Sequence, residues 1–273
     1  MSDVDIGNIL KKSFHMVFHD IGYIATYSVP LIGMLLTLLL MDFLWINPIL
    51  ITNPSAFDLS DFILAVGIYT LIVLILSILS SIAVAIKVDR EERGTHISAS
   101  NALREAMSHI LSAIGATIIS GIVVAGPLLS GVILIFYGLI SENFVLAGMG
   151  ALIMVITIIP FIYALLRLSL YIPACALDNL SAIECLKKSW HVTKGNVILL
   201  FVTFLIISVI AIPFSLLNNV FPQYQIGSLL TTLIVGPISG VTITLIYRDL
   251  TGKTEEKPSD FTSTSFETEH NPF

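Results

Sequence analysis

Charged side chains are scarce in this sequence. Only 12% of its 273 residues are Asp, Glu, Lys or Arg, whereas soluble domains carry about 25%. The formal net charge is -6, and no basic stripe is present that would neutralise the phosphates of a nucleic acid. We therefore expect neither an ordinary water-soluble domain nor a nucleic-acid partner.

Catalytic motifs are also missing, since the sequence contains no Gly-rich P-loop, no HExxH and no GxSxG. The two cysteines, Cys175 and Cys185, form no CxxC pair, and we expect reduced thiols with no redox or metal role. The acidic N-terminus does not indicate a cleavable signal peptide. We predict that the protein is not an enzyme and has no catalytic residue, metal site or cofactor.

Apolar residues, in contrast, make up 56% of the chain, and the mean hydropathy is +0.95. Six apolar stretches are long enough to cross about 30 Å of hydrocarbon as helices. The sequence therefore predicts an all-α polytopic membrane protein with about six transmembrane helices. The predicted spans are Ile21–Ile46, Phe62–Lys87, Ile110–Tyr137, Phe144–Tyr171, Val197–Leu217 and Ile226–Tyr247.

The positive charges predict how these spans are oriented. All 13 Lys and Arg residues lie before the first span, after the last, or at and between the ends of spans on one side. The connections Asn47–Asp61, Gly138–Asn143 and Asn218–Gln225 contain none. Because basic residues are retained on the inner side, we predict a multi-pass protein of the cytoplasmic membrane with both termini in the cytoplasm.

A short segment of similar character precedes spans one, three and five. Each has helical periodicity, with an apolar face beside a polar one, which is typical of a helix lying in the membrane interface. The alternative is that any protein with an even number of spans has basic amphipathic connectors on its inner side. The segments are Ile9-Leu-Lys-Lys-Ser-Phe-His15, Ala102-Leu-Arg-Glu-Ala-Met-Ser108 and Cys185-Leu-Lys-Lys-Ser-Trp-His191.

This pattern predicts one membrane domain, residues 1–250, built from three repeats of an interfacial helix and a transmembrane hairpin. The units cover about residues 1–90, 91–178 and 179–250. The third segment opens with the Ser181 and Glu184 of a capping box and ends near Gly195. Residues 251–273 are rich in Thr, Ser, Glu and Pro, which predicts a disordered, acidic cytoplasmic tail.

The stretch Leu177–Asn196 resembles a segment of a broad group of poorly characterised prokaryotic membrane proteins. That group includes the membrane domain fused to some bacterial glycerophosphoryl diester phosphodiesterases. The opening Ile6–Phe14 and the closing Tyr247–Leu250 are similar in placement. The resemblance implies a six-helix membrane module over about residues 1–250. It does not imply phosphodiesterase activity, which belongs to a separate soluble barrel with metal-binding side chains.

Arg167 is the strongest candidate for a ligand contact, because it lies in the apolar run of span four and an intramembrane charge is costly. The alternative is a structural anchor whose side chain extends to the headgroups or pairs with Asp178 or Asp89. The other candidates for contact with headgroups lie in the first and third of the related basic segments. They are Lys11, Lys12, Lys187, Lys188 and Trp190.

Two spans contain similar helix breaks, at Gly126-Pro127 and at Gly236-Pro237. Such breaks serve helix packing, or they expose backbone groups to a transported substrate. A further pair, His15 and His19, has the i, i+4 spacing of two metal ligands. No third ligand is evident beyond the neighbouring Asp20, and polar-face histidines at the interface are the simpler interpretation.

The function predicted from these patterns is a non-enzymatic, membrane-organising or lipid-associated module. Its basic helices would bind anionic headgroups, at about 1 kcal/mol per Lys or Arg. One alternative is a transporter or exporter of a small or lipid-like molecule that uses the broken spans three and six. Another is an intramembrane lipid-modifying enzyme, which would need clustered acids at the inner face, such as Asp89, Asp178 and Asp249, together with a metal dependence. Whether the protein forms a homo-oligomer or binds another membrane protein is left open.

Overall fold

The structure, a computed structural model, describes residues 5–41, 59–220 and 226–252, and these form helices and turns with no β-strand among them. A π-helical turn, Thr231–Val235, separates the last two helices. The helices are α1 (Ile6–His19), α2 (Gly22–Met41), α3 (Leu59–Glu92), α4 (Ala99–Ala106), α5 (Ile110–Ile140), α6 (Phe144–Leu168), α7 (Tyr171–Asp178), α8 (Ala182–Val192), α9 (Val197–Val220), α10 (Ile226–Leu230) and α11 (Gly236–Leu250).

The described residues include five helical segments long and apolar enough to cross a membrane, so the chain is an all-α membrane protein. In the first predicted span, the 20 residues of α2 would extend about 30 Å at 1.5 Å per residue. The rest of that span, the connection that follows it and the predicted tail lie outside the described residues, so the count of six remains a prediction. The five segments are Val66–Glu92, Ile110–Ile140, Phe144–Asp178, Val197–Asn219 and Ile226–Leu250.

Three short helices, α1, α4 and α8, precede long apolar helices, and we call them the collar helices. At the start of each collar helix, a side-chain oxygen accepts a hydrogen bond from a backbone N–H group of the N-cap residue or of the first turn. The Asp5 carboxylate accepts two N–H groups of α1, and the Ser98 hydroxyl accepts one of α4. At α8, the Glu184 carboxylate accepts from the backbone N–H of Ser181 at 3.0 Å, so the predicted capping box is confirmed.

The hydrophobic core lies at the end of the bundle where the collar helices pack. There α1 packs against α11, α4 against α3, and α8 against α5 and α7. Fully buried side chains of this core include Val17, Val88, Ala102, Cys185 and Tyr247. Away from the collar helices, the long helices α5, α6 and α9 present large apolar side chains outward. That distribution suits a bundle surrounded by lipid, with its tightest packing at one end.

Helices α5 and α6 form a hairpin whose backbones approach closely. An added Cβ at Gly150 would lie 2.7 Å from the carbonyl oxygen of Gly131, so no larger side chain fits there without displacement. The predicted connection between them is observed as a tight turn, in which Glu142 has a φ of 53°. Close contact at small residues therefore holds together two helices whose outer surfaces are mostly apolar and exposed.

Candidate functional site

Ion pairs join the elements that meet at the collar end. Lys87, near the end of α3, is only 2% exposed, and its ammonium pairs with Asp20 between α1 and α2. The same Nζ lies 3.3 Å from a carboxylate oxygen of Glu91 and donates to the carbonyl oxygen of Ile97 at 3.0 Å. This buried lysine therefore ties the end of α3 to the α1–α2 turn and to the start of α4.

A second buried group joins α3, α7 and α11. Arg248 is 3% exposed and its guanidinium binds the carboxylate of Asp89, which also receives Arg93 Nε at 2.9 Å. Next to it on α11, the Tyr247 hydroxyl donates to Asp178 at 2.5 Å. Two of the three inner-face acids that a lipid-modifying enzyme would need, Asp89 and Asp178, thus bind side chains of α11. These contacts hold the ends of α3 and α7 in place.

A polar cavity of about 320 Å³ opens beside this group. Its charged lining is already paired, since Asp89 binds Arg93 and Arg90 binds Glu105 at 2.9 Å. Within the described ranges, no three His, Cys, Asp or Glu side chains are placed to hold a metal ion. The remaining lining residues are Ile86, His109, Ala176, Leu177 and Asn179.

Arg167, the leading sequence candidate, lies at the last turn of α6 and is 5% exposed. Its guanidinium carbon lies 4.5 Å from the ring centroid of Trp190 on α8 and 5.7 Å from that of Tyr163 on α6. The two rings meet edge to face at 6.0 Å. The structure therefore brings together two predicted site residues, Arg167 and Trp190, and adds a third aromatic partner.

The backbone of Arg167 is held from α8. Its carbonyl oxygen accepts hydrogen bonds from Ser189 Oγ at 2.9 Å and Thr193 Oγ1 at 3.1 Å, and Ser189 Oγ also accepts the N–H of Leu170 at 3.2 Å. These contacts satisfy backbone groups at the break between α6 and α7, where the intrahelical bonds end. They also fix the position from which the Arg167 side chain starts.

No carboxylate of the described residues pairs with the Arg167 guanidinium, and its buried Nε has no hydrogen-bond acceptor. The suggestion that Asp178 or Asp89 would be its partner is wrong, because those acids bind Tyr247 and Arg248 instead. Within the part of the chain that the structure describes, the positive charge of Arg167 therefore faces aromatic rings, whose attraction for a cation is modest.

The other predicted contact residues are exposed on the collar helices. Lys11 and Lys187 point away from the bundle, Lys12 Nζ lies 2.6 Å from Glu92, and Lys188 Nζ lies 4.0 Å from a carboxylate oxygen at the end of α7. The His15 and His19 rings are stacked 5.4 Å apart, both on exposed side chains. These four lysines thus lie exposed on α1 and α8, in contrast to the buried Lys87.

The two helix breaks differ. α5 continues through Gly126 and Pro127, and a Cβ at Gly126 would meet no atom within 4 Å, so this glycine serves no close contact in the described structure. At Gly236 the π-helical turn ends, Pro237 lies in the first turn of α11, and a Cβ at Gly236 would lie 2.9 Å from the Tyr27 ring. Only the second break changes the helix type and lets another helix approach.

Cys175 and Cys185 form a disulfide that joins α7 to α8, with their Cα atoms 5.2 Å apart. The expectation of two reduced thiols is wrong, because the reversal of the chain between these helices brings side chains ten positions apart within bonding reach. The bond fixes α8, and with it Trp190, against the end of α7.

Sequence patterns missed three residues of the Arg167 site: Tyr163, Ser189 and Thr193. Tyr163 lies four residues before Arg167, a spacing that places both on one face of a helix. That signal was available in the sequence. The hydroxyl contacts of Ser189 and Thr193 were not, because they depend on how α8 folds back onto α6.

Together, these features define an all-α membrane protein with several spans and a collar end built from paired charges and one buried arginine, Arg167, that pairs with no described carboxylate. Residues 22–252 match the family described as a domain of unknown function, DUF7847, and the chain belongs to this family. No curated protein and no solved structure matches the chain.

Proposed function

We propose that this protein is a non-enzymatic, lipid-associated module of the cytoplasmic membrane, and that its collar end binds anionic headgroups. One observation carries the proposal. Each collar helix has at least one exposed basic side chain, and an exposed large apolar side chain on it or directly after its last residue. The apolar members are Phe18, Met107 and Trp190, which are 59%, 64% and 42% exposed. Such surfaces suit the boundary between headgroups and acyl chains.

The threefold repeat is part of this proposal, and the burial of matched positions supports it. Ile9, Ala102 and Cys185 occupy the first position of the three related segments, and each is at most 7% exposed. At the fifth position, Ser13, Ala106 and Ser189 are all fully buried. Each segment thus faces the bundle through equivalent positions and presents its basic residues outward.

The orientation proposed here has six spans and both termini in the cytoplasm. Ion pairs between different elements support the placement of the described basic residues at one end, since Lys12 binds the end of α3 and Arg248 binds Asp89. Retention of basic residues on the inner side then assigns that end to the cytoplasm. The likeness to the membrane domain of phosphodiesterases fits the same arrangement and carries no activity.

Preferential quenching of Trp190 by anionic lipids tests the proposal. The Trp45→Phe variant leaves Trp190 as the sole tryptophan, and it is reconstituted into vesicles containing brominated phosphatidylglycerol or brominated phosphatidylcholine. Each nearby Lys contributes about 1 kcal/mol, or about five-fold in association constant. We expect stronger quenching by the anionic lipid, and a smaller preference at high salt.

Replacing Lys187 and Lys188 with Gln should bring the two quenching efficiencies together, while quenching by brominated phosphatidylcholine stays the same. Quenching by brominated phosphatidylcholine serves as the control, because it would change if the substitutions altered the depth of Trp190 in the bilayer. Equal quenching by both lipids in the parent Trp45→Phe protein, at low salt, would contradict the proposed function.

The π-helical turn favours a second candidate, a transporter or exporter. Turns of this kind occur often at functional sites, and this one precedes the helix break at Gly236. A transporter predicts saturable flux of a substrate across vesicles, which the lipid-associated module does not.

A further inference from the structure

We propose that Arg167, with Trp190 and Tyr163, binds one phosphate group, and that this group supplies the acceptor that the Arg167 guanidinium lacks among the described residues. The inference deepens the proposed function by naming the part of the ligand that is recognised at one particular position. It differs from the diffuse attraction of the exposed lysines, because it involves a single buried side chain and a defined stoichiometry.

The charge of Arg167 requires an anion. Its guanidinium stays protonated under all physiological conditions, and at 5% exposure it has lost most of its contact with water. Buried charges in proteins are paired or hydrogen bonded, because burial of an isolated ion is strongly unfavourable. Here the described residues supply no carboxylate, and Nε has no acceptor.

The aromatic neighbours restrict how an anion approaches. Trp190 and Tyr163 lie 4.5 and 5.7 Å from the guanidinium carbon, as ring centroids. An arginine that stacks on rings keeps its N–H groups free to donate in its own plane. A phosphate accepts two parallel hydrogen bonds from such a plane, which a lysine cannot supply in the same geometry.

The site is also organised before any ligand binds. Ser189 and Thr193 hold the carbonyl oxygen of Arg167, and the Cys175–Cys185 disulfide fixes the helix that carries Trp190. A ligand therefore loses little binding free energy to the ordering of these groups.

The surroundings add positive charge and the right depth. Lys187 lies three residues before Trp190 on α8 and is exposed, so both occupy one face of that helix. Trp190 and Tyr163 are 42% and 46% exposed, and such aromatic residues prefer the headgroup level of a bilayer. A phosphate is the anion found at that depth in a phospholipid, and dissolved phosphate reaches the same level from the water.

Native mass spectrometry tests this inference on the full chain, released in a mild detergent and incubated with dihexanoyl phosphatidylglycerol. We expect a one-to-one complex that binds at least ten-fold more weakly in Arg167→Gln. Arg167→Lys keeps the charge but not the paired donors, so its affinity should fall between the two. The control is Arg90→Gln, which removes an exposed arginine paired with Glu105 and should bind like the parent.

Two competitors distinguish the sources of the phosphate. Displacement of the short-chain lipid by inorganic phosphate, at similar concentrations, would identify free phosphate as a sufficient ligand. Resistance to inorganic phosphate, with displacement by dihexanoyl phosphatidylcholine, would identify a phospholipid phosphate. Either result supports the phosphate site, provided that the same complex is weakened in Arg167→Gln.

Folding is checked independently, because a buried substitution could unfold the protein. Circular dichroism and the midpoint of thermal unfolding are measured for every variant, and Trp190→Leu gives a second variant that leaves the charge in place. Unchanged affinity in a folded Arg167→Gln or Arg167→Lys protein, or no one-to-one complex with the parent, would overturn the inference.

The two proposals fail in different ways. If the lysine variants lose the anionic preference in vesicles but Arg167→Gln keeps the one-to-one complex, only the phosphate site is refuted. If Arg167→Gln loses the complex while the parent shows no anionic preference in vesicles, the phosphate site stands and the broader headgroup function is refuted.

Discussion

Removing the Asp89 carboxylate should destabilise the collar end strongly. Arg248 is 3% exposed and binds this carboxylate, which also receives Arg93. Breaking a buried ion pair by removing one member costs about 3–5 kcal/mol, because the other charge stays buried. We therefore expect Asp89→Ala to lower the free energy of unfolding by that amount. The exposed pair of Arg90 and Glu105 provides the comparison.

The matched control is Glu105→Ala. Its carboxylate binds Arg90 at 2.9 Å, but the two side chains are 37% and 49% exposed, so the loss should be about 0–1 kcal/mol. The combined variant Asp89→Leu with Arg248→Met should recover part of the loss, because it removes both charges. Unfolding is followed by circular dichroism in mixed micelles as the fraction of sodium dodecyl sulfate rises. Equal losses in Asp89→Ala and Glu105→Ala would refute the role assigned to this pair.

Two further predictions concern the collar end. Burial raises the pKa of Asp20, but hydrogen bonds from Lys87 and from the N–H of Gly22 together lower it more, so the pKa lies below its ordinary value of 3.8. The stability that this shift contributes is therefore complete above pH 3.8, and it is lost as the pH falls through the lowered pKa. Thermal unfolding midpoints measured against pH should show this acid loss, and Asp20→Asn should show less of it. The disulfide predicts that Cys185 reacts with a maleimide in the detergent-unfolded protein only after a reductant is added, and labelling of the unreduced, unfolded chain would contradict it.

Helix positions were the part of the fold that sequence patterns predicted well. The predicted starts of spans three to six, at Ile110, Phe144, Val197 and Ile226, coincide with helix starts in the structure. Long apolar runs flanked by polar residues determine these starts locally, without reference to any other helix. The end of span four was less accurate, because α6 stops at Leu168 and a new helix begins two residues after Ser169.

Partners between helices were not predictable in the same way. Arg167 and Trp190 were both recognised as candidates, but their contact depends on α8 turning back against α6. The acids suggested as partners of Arg167, Asp89 and Asp178, bind residues of α11 instead. Asp89 binds Arg248, 159 positions later in the chain, and Asp178 binds Tyr247, 69 positions later. Periodicity tells which face of a helix is polar, not which charge lies opposite. A cation that has no acidic partner among the described residues is recognised only after the nearby acids have been assigned to other side chains. This assignment changes the interpretation of Arg167 from a general membrane anchor to a candidate phosphate site.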